Sequence, residues 1–166
     1  MAELKDSGNR REFDSGAVRD MAEGKGRCDL LPLDAVTPLF KEHGFFIMHL
    51  LGEIETFKTD SNTCCLLQVL HMFASIRYQG SFETMLLEVA KHFEDGARKY
   101  GDDNWKKGIP VNVYIDSATR HLLKFLRGDD DEPHDRAFCW NIICAIWTAQ
   151  HMPELNPYPK KDGDED

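Results

Sequence analysis

The sequence predicts an all-α protein, a bundle of four to five helices with flexible arms at its two ends. Apolar residues recur at spacings of three and four through most of the chain, which is typical of amphipathic helices. Glycines end two of the predicted helices, at Gly101 and Gly128. The segment 137–149 is apolar on nearly every side, so we expect it to form a buried central helix.

The arms lie outside the predicted bundle. Residues 1 to about 27 are polar and contain glycine, and from Pro153 the chain is rich in proline and ends in acidic residues. We therefore expect a single domain over 1–152, with 1–32 as an N-terminal arm that contributes to the site. The stretch 153–166 is predicted to be a disordered tail.

Capping residues and apolar patterns predict where the helices begin and end. Asp34 predicts a short helix through Phe40, whereas the apolar run 45–51 fits a strand or a buried helix equally well. Longer helices are expected at about 63–77 (capped by Asn62 or Thr63), 82–100, 112–127 and 133–151.

Two of these helices have a polar side that carries candidate residues. For 82–100 the predicted core stripe is Leu86, Ala90, Phe93, Ala97 and Tyr100, opposite Glu88, His92, Asp95 and Lys99. For 112–127 the predicted stripe is Ile115, Ala118, Leu122 and Phe125, opposite Asp116, Ser117, Arg120, His121 and Lys124.

The composition of the chain limits the classes of protein to which it is able to belong. The formal net charge of −9 argues against a nucleic-acid binder, because phosphate backbones are bound by clustered cations. No apolar run is long enough for a membrane span. Five cysteines without a CxxC pair predict free thiols and a cytoplasmic protein. The acidic balance favours metal-bound nucleotides, since carboxylates are the oxygen ligands that hard divalent cations prefer.

Asn141 stands in the middle of the apolar helix. Its buried amide must be hydrogen-bonded, either to a helix neighbour or to a ligand. His134 lies seven residues earlier on the same face. On the preceding helix the pair Asp116 and Arg120 fits a surface ion pair, and His121 fits a packed histidine.

Carboxylates recur at metal-ligand spacing. Glu88 and the half-buried Glu94 lie on one helix, and Glu132 with Asp135 forms an ExxD arrangement at the start of another. The ExxD pair fits metal ligands and helix-dipole partners equally well. The dipeptide at 134–135 also invites an HD-type interpretation, in which His and Asp bind adjacent metals.

The N-terminal arm combines Gly24 and Gly26 with Arg19, Lys25 and Arg27. Glycines between cations bring backbone N–H groups and positive charge close to a phosphate. A solvated linker accounts for the same residues.

Several spaced motifs together resemble the phage dATP/dGTP diphosphohydrolase family. They are GARKYG (96–101), NW (104–105), GIP (108–110), DSA (116–118), RHL (120–122), DE (131–132), His134 and WN (140–141). SGAVRD (15–20) and EGKGRCDLLP (23–32) are also similar to the start of that family.

The resemblance implies a fold and an activity like those of the MazG-like all-α pyrophosphohydrolases. These cleave between the α and β phosphates, so the resemblance implies hydrolysis of purine dNTPs, dGTP or dATP, to monophosphate and pyrophosphate in phage nucleotide metabolism. It also implies Mg²⁺ or Mn²⁺ held by carboxylates from two helices. The residues that match this pattern are Glu88, Glu94, Glu132 and Asp135.

Roles for the other residues follow from the same resemblance. The expected catalytic residues are Asp116, His121 and His134. The expected phosphate contacts are Arg19, Lys25, Arg27, Lys99 and Arg120. Tyr100 and Trp105 would stack on the purine, and Asn104 or Asn141 would read its edge.

Two alternatives stay open. An HD-type triphosphohydrolase would release intact triphosphate, and a non-catalytic phage interaction module would use the same helices to bind a partner. We also expect a homodimer or homotetramer, because Phe45, Phe46, Ile47 and Leu50 exceed what a small bundle needs to bury.

Overall fold

The computed structural model describes residues 8–159, and this part of the chain is an all-α bundle with one small hairpin. The strands are β1 (Arg10–Glu12) and β2 (Val18–Asp20). The helices are α1 (Leu33–Val36), α2 (Phe45–Asp60), α3 (Thr63–Arg77), α4 (Phe82–Tyr100), α5 (Val111–Arg127) and α6 (His134–His151). Five of them are long, so the predicted fold class is confirmed.

Helix α6 is the centre of the bundle. It packs against α3, α4 and α5, while α2 packs against α3. Phe138, Ile142 and Ala145 are fully buried, as the continuous apolar sequence of this helix predicts. Within 8–159 no helix has the length and apolar character needed to cross a bilayer.

The apolar run 45–51 begins a helix and not a strand. Ile47, Leu50, Leu51, Ile54 and Phe57 are buried, and their spacings of three and four place them on one face of α2. Next along the chain, the Asn62 side chain accepts a hydrogen bond from the backbone N–H of Cys64 at 2.9 Å and caps α3.

The buried face of α4 differs from the predicted one. Met85, Val89 and His92 are buried, whereas Leu86 is 54% exposed. The ring of His92 packs against Trp140 of α6, with centroids 5.3 Å apart. With His92 packed in this way, the observed core stripe of α4 lies one residue earlier in the sequence than the predicted one.

From residue 8 onward the N-terminal arm is a packed hairpin and not a flexible segment, and residues 1–7 of the predicted arm lie outside the described residues. Strands β1 and β2 are antiparallel, with Arg11 opposite Arg19. Asn104 holds β2 through two hydrogen bonds, accepting from Val18 N at 2.9 Å and donating to Val18 O at 2.8 Å. The polar arm is therefore fixed by hydrogen bonds from the loop that follows α4.

The C-terminal segment is packed as far as residue 159. The Ser61 hydroxyl donates to the carbonyl of Tyr158 at 2.9 Å, and the ring of Tyr158 meets that of Phe57. Gly108, at φ +109°, packs closely against this C-terminal segment, because a Cβ added to it would be 2.8 Å from Leu155 Cδ1. The predicted disorder thus does not extend over 153–159, and its remaining part, 160–166, lies outside the described residues.

The five cysteines are free, as the sequence predicts. Cys65, Cys139 and Cys144 are buried, and burial raises the pKa of each thiol. They serve as small apolar core residues.

Candidate active site

A cavity of about 1300 Å³ lies between the hairpin, α4, α5 and the start of α6. Most of the site residues predicted from the sequence line it. They are Arg19, Lys25, Glu94, Lys99, Tyr100, Asn104, Trp105, Asp116, Arg120, His121, Glu132 and Asn141. His134 lies directly behind His121, and the structure places Arg27, Glu88 and Asp135 outside the lining.

Arg19 reaches from strand β2 into the cavity wall. One amino group, Nη2, donates to Asn141 Oδ1 at 2.9 Å and to Ser117 Oγ at 3.3 Å. The guanidinium lies over the rings of Tyr114 and Trp140, at 5.2 and 5.6 Å from their centroids. The other amino group, Nη1, is buried and has no hydrogen-bond partner. Arg19 is therefore held in place, and the two N–H groups of Nη1 are not used by the described residues.

The amide of Asn141 is satisfied on both sides. Its nitrogen donates to the carbonyl of Ala137, one turn earlier, at 2.8 Å, and its oxygen accepts from Arg19. Each of its two groups makes one hydrogen bond, so Asn141 orients Arg19, and its predicted contact with a purine edge stays a prediction.

Asp20 is a cavity residue that the sequence prediction missed. Its carboxylate accepts from Lys99 Nζ and from the hydroxyl of Tyr100, both at 2.7 Å. Burial and the hydrogen bond to Asp20 raise the pKa of Tyr100. Asp20 ends the motif 15–20, but its partners lie about 80 residues away in sequence, where no local pattern indicates them.

Asp116 and Arg120 hold the chain that follows the hairpin. Asp116 accepts a hydrogen bond from the backbone N–H of Cys28 at 2.6 Å and pairs with Arg120. Arg120 also donates to the carbonyls of Lys25 and Gly26, at 3.3 and 3.0 Å. These contacts engage both side chains, as the contacts to Val18 engage Asn104, so all three position the N-terminal segment. Their predicted catalytic, phosphate-binding and base-reading roles stay predictions.

Arg27 is turned away from the cavity. It forms two hydrogen bonds with Asp29, at 2.7 and 2.5 Å. Burial works to raise the pKa of Asp29, but the hydrogen bonds and charge of Arg27 outweigh it and leave that pKa lowered. The predicted phosphate contact is thus replaced by an ion pair within the N-terminal segment.

His121 and His134 form a compact cluster with two carboxylates. Their Nδ1 atoms are 2.9 Å apart, and Glu132 Oε1 lies 3.9 Å from the first and 3.8 Å from the second. Asp131 pairs with His134 Nε2 at 2.8 Å. Burial, followed by the charges of His134 and His92, lowers the pKa of His121 well below its usual value. The imidazole of His121 is consequently neutral at physiological pH, and one of its two nitrogens is able to accept a proton or bind a cation.

His92, predicted on the polar side of its helix, and Trp140, part of the WN motif, complete the inner wall. His92 Nδ1 and Trp140 Nε1 are buried without hydrogen-bond partners. Burial lowers the pKa of His92 to about 3, and the positive charges of Arg136 and Arg19 act in the same direction. Unpartnered polar atoms of this kind cost about 1–3 kcal/mol each unless a ligand engages them.

The predicted metal ligands are separated by the fold. Glu88 pairs with Lys91 on the outside of α4, and Asp135 pairs with Arg77 at 2.7 Å, so neither faces the cavity. Glu94 lines the cavity and also pairs with Arg98. Because Asp135 points away from His134 and toward α3, the two residues do not form the adjacent ligands of an HD-type site.

The helical bundle gathers a fixed arginine, imidazoles and carboxylates around one cavity, an arrangement compatible with an all-α enzyme that acts on phosphorylated ligands. A comparison with protein families matches residues 70–157, more than half of the chain, to the family described as dATP/dGTP diphosphohydrolase, N-terminal. The chain belongs to this dATP/dGTP diphosphohydrolase family and is a hydrolase. Searches of curated proteins and of solved structures each gave no match.

The matched range begins within α3 and covers α4, α5 and α6. It includes the histidine cluster, Glu132 and Asn141, but not the hairpin that carries Arg19.

Proposed function

We propose that the chain hydrolyses dGTP and dATP between the α and β phosphates, giving the deoxynucleoside monophosphate and pyrophosphate. The observation that carries this proposal is the guanidinium of Arg19, which is fixed on two acceptors and keeps Nη1 buried without a partner at the cavity wall. A fixed guanidinium with unused donors is a receptor for phosphate oxygens.

The purine would bind the aromatic part of the same cavity. Phe93, Trp105 and Trp140 line it together, and the Trp140 Nε1 donor lies buried without a partner. An aromatic wall offers stacking area to a base, and an indole N–H is a donor for the N7 or O6 acceptors of a purine. Lys25 and Lys99, which also line the cavity, would add positive charge for the triphosphate.

A divalent cation, Mg²⁺ or Mn²⁺, is part of the proposal. The donor set fits one, because Glu94 and Glu132 line the cavity and Glu132 Oε1 lies within 3.9 Å of imidazole nitrogens from two residues. When bound, the cation would offset charge on the phosphate oxygens and acidify the attacking water. Glu132 would hold it, and Arg19 would orient the phosphates beside it.

The test is a dNTP panel with Mn²⁺ or Mg²⁺, read by separating pyrophosphate from triphosphate. We expect pyrophosphate from dGTP and dATP, and a loss of roughly ten- to a hundredfold in kcat/KM for Arg19→Gln. The matched control is Arg77→Gln, which removes a surface arginine outside the cavity. Intact triphosphate as product would contradict the proposed bond cleavage and favour the HD-type chemistry.

Glu88 and Glu132 provide a second comparison. Glu132→Gln should abolish turnover, whereas Glu88→Gln should retain it because Glu88 pairs with Lys91 outside the cavity. Equal losses of turnover in the two variants would show that both carboxylates take part in catalysis, as the family resemblance implies. They would contradict the structure-based expectation that only Glu132, which lines the cavity, does so.

We also propose that the protein is a homodimer or homotetramer. Ile47 and Leu50 are buried within the subunit, so they do not form the predicted interface. Phe45, 70% exposed, remains available together with an outer α4 face that comprises Phe82, Leu86 and Leu87. An apolar stripe of this kind on a helix supports self-association.

A further inference from the structure

The cluster of His121, His134 and Glu132 has the arrangement of a metal site. The two histidines come from different helices, α5 and the first residue of α6, and present Nδ1 to Nδ1 at 2.9 Å. Glu132 Oε1 completes a triangle at 3.8 and 3.9 Å. All three ligand atoms lie within 4.8 Å of one another.

The protonation of His134 is fixed by Asp131. Nε2 is 2.8 Å from Asp131 Oδ1, and a carboxylate accepts a hydrogen bond, so Nε2 carries the proton. The lone pair of His134 is then on Nδ1, facing His121. A histidine whose second nitrogen donates to a carboxylate is the usual arrangement of a metal-binding imidazole.

The spacing of the nitrogens matches a shared cation. At metal–nitrogen bonds of about 2.1 Å, two nitrogens on adjacent octahedral positions lie about 3.0 Å apart. The two Nδ1 atoms, which are hydrogen-bonded to each other at 2.9 Å, already have this separation. A cation would displace the proton between them, and Glu132 has to turn inward.

The local charge also favours a cation. Asp131 and Glu132 supply two negative charges, and the neighbouring Lys124, at 3.3 and 3.8 Å from their oxygens, supplies one positive charge. These three side chains together carry a net negative charge, and Lys124 is half-buried on a long side chain that is able to move away.

We propose that His121, His134 and Glu132 bind one divalent first-row transition cation, such as Mn²⁺ or Co²⁺, in preference to Mg²⁺. Imidazole nitrogen suits transition metals, whereas Mg²⁺ prefers oxygen ligands and retained waters. The catalytic role of this cation rests on the proposed function, in which it lies beside the phosphates. The binding site itself is inferred from the positions of the three side chains and does not depend on turnover.

The test measures binding to the full chain without nucleotide. After dialysis against a chelator, Mn²⁺ is titrated and followed by electron paramagnetic resonance, and pulsed measurements report coupling to imidazole nitrogen. We expect one site with nitrogen coupling, weakened roughly ten- to a hundredfold in His121→Gln and His134→Gln. His49→Gln is the matched control, because His49 is an exposed histidine on α2.

Three results would overturn the site. Bound Mn²⁺ without nitrogen coupling would show a carboxylate-only site, and Mg²⁺ competing at equal concentration would remove the selectivity. Binding lost in Asp129→Asn and retained in Glu132→Gln would place the cation instead at the neighbouring group Asp129, Asp131 and His134. Nitrogen-coupled Mn²⁺ in a protein that hydrolyses no dNTP would support the site and contradict the proposed function alone.

Discussion

The contact between Asn141 and Arg19 shows how one side chain sets the direction of another. Asn141→Ala removes the acceptor that holds Arg19 Nη2 at 2.9 Å, and a hydrogen bond to a charged group contributes about 1.5–3 kcal/mol. We expect kcat/KM for dGTP to fall roughly tenfold or more. Thr119→Val is the control, because it replaces a fully buried polar side chain on the neighbouring helix without touching Arg19. Equal effects in both variants would show loss of packing and not of orientation.

His92 makes the stability of the fold depend on pH. Its pKa is about 3 in the folded protein and about 6.5 in an unfolded chain, so between these values the unfolded state holds one more proton. The free energy of unfolding should therefore be constant above pH 6.5 and fall as the pH is lowered, by up to about 1.4 kcal/mol per pH unit for this group. His121, whose pKa is also lowered, acts in the same direction.

The measurement is denaturant unfolding between pH 4 and pH 8. His92→Phe keeps an aromatic ring against Trp140 and removes the titrating group, so its stability should fall less steeply with acid. A slope unchanged from the wild type would contradict the assignment of this dependence to His92.

At the scale of elements, the N-terminal segment is held by polar contacts at several points. Arg27→Ala leaves the carboxylate of Asp29, whose side chain is 3% exposed, without its ion-pair partner. We expect a loss of about 1–3 kcal/mol in the free energy of unfolding. Lys25→Ala should instead raise KM for the triphosphate and leave unfolding unchanged, because Lys25 is exposed at the cavity.

The double variant Arg27→Ala with Asp29→Asn is the internal control. Replacing the unpaired carboxylate by an amide should recover part of the stability lost in Arg27→Ala. No recovery would show that Asp29 does not need Arg27 as its partner. Chemical denaturation of the wild type, Arg27→Ala and the double variant makes the comparison.

Helix ends were predictable because their signals are local. Asn62 accepts from Cys64 N as an N-cap should, and Gly128 adopts φ +85° at the end of α5, where a side chain would be strained. The face of α4 was not predictable, because two apolar stripes fit the same helix. The choice between them depends on the packing of His92 and Phe93 against Trp140.

The hairpin and its contacts lacked a sequence signal for a different reason. Its strands have only three residues each, RRE and VRD, and show no alternation of apolar and polar residues. Arg19 was identified through the family resemblance and its cationic neighbours, while Asp20 has partners far along the chain. The local sequence pattern was therefore a better guide to which residues belong to the site than to the residues that each of them contacts.

At the scale of the whole molecule, the exposed apolar residues predict self-association. Leu87 on the outer α4 face is 69% exposed, and Leu39, at 79%, lies elsewhere on the surface. We expect the wild type to sediment as a dimer or tetramer and Leu87→Glu to sediment as a 19.0 kDa monomer. Leu39→Glu should keep the wild-type assembly. A monomeric wild type at micromolar concentration would contradict the prediction.

The hairpin also has a consequence for the order in which the molecule folds. Arg19 and Asn141 are 122 residues apart in sequence, and Val18 and Asn104 are 86 apart, whereas helices form from neighbouring residues. Contacts between distant residues form slowly because a long loop must close first. We expect refolding from urea to recover helical circular dichroism before the fluorescence change that reports Arg19 docking over Trp140. Simultaneous recovery of both signals would show that bundle and hairpin form together; a delay would mean that a newly made chain is helical before it is able to bind a nucleotide.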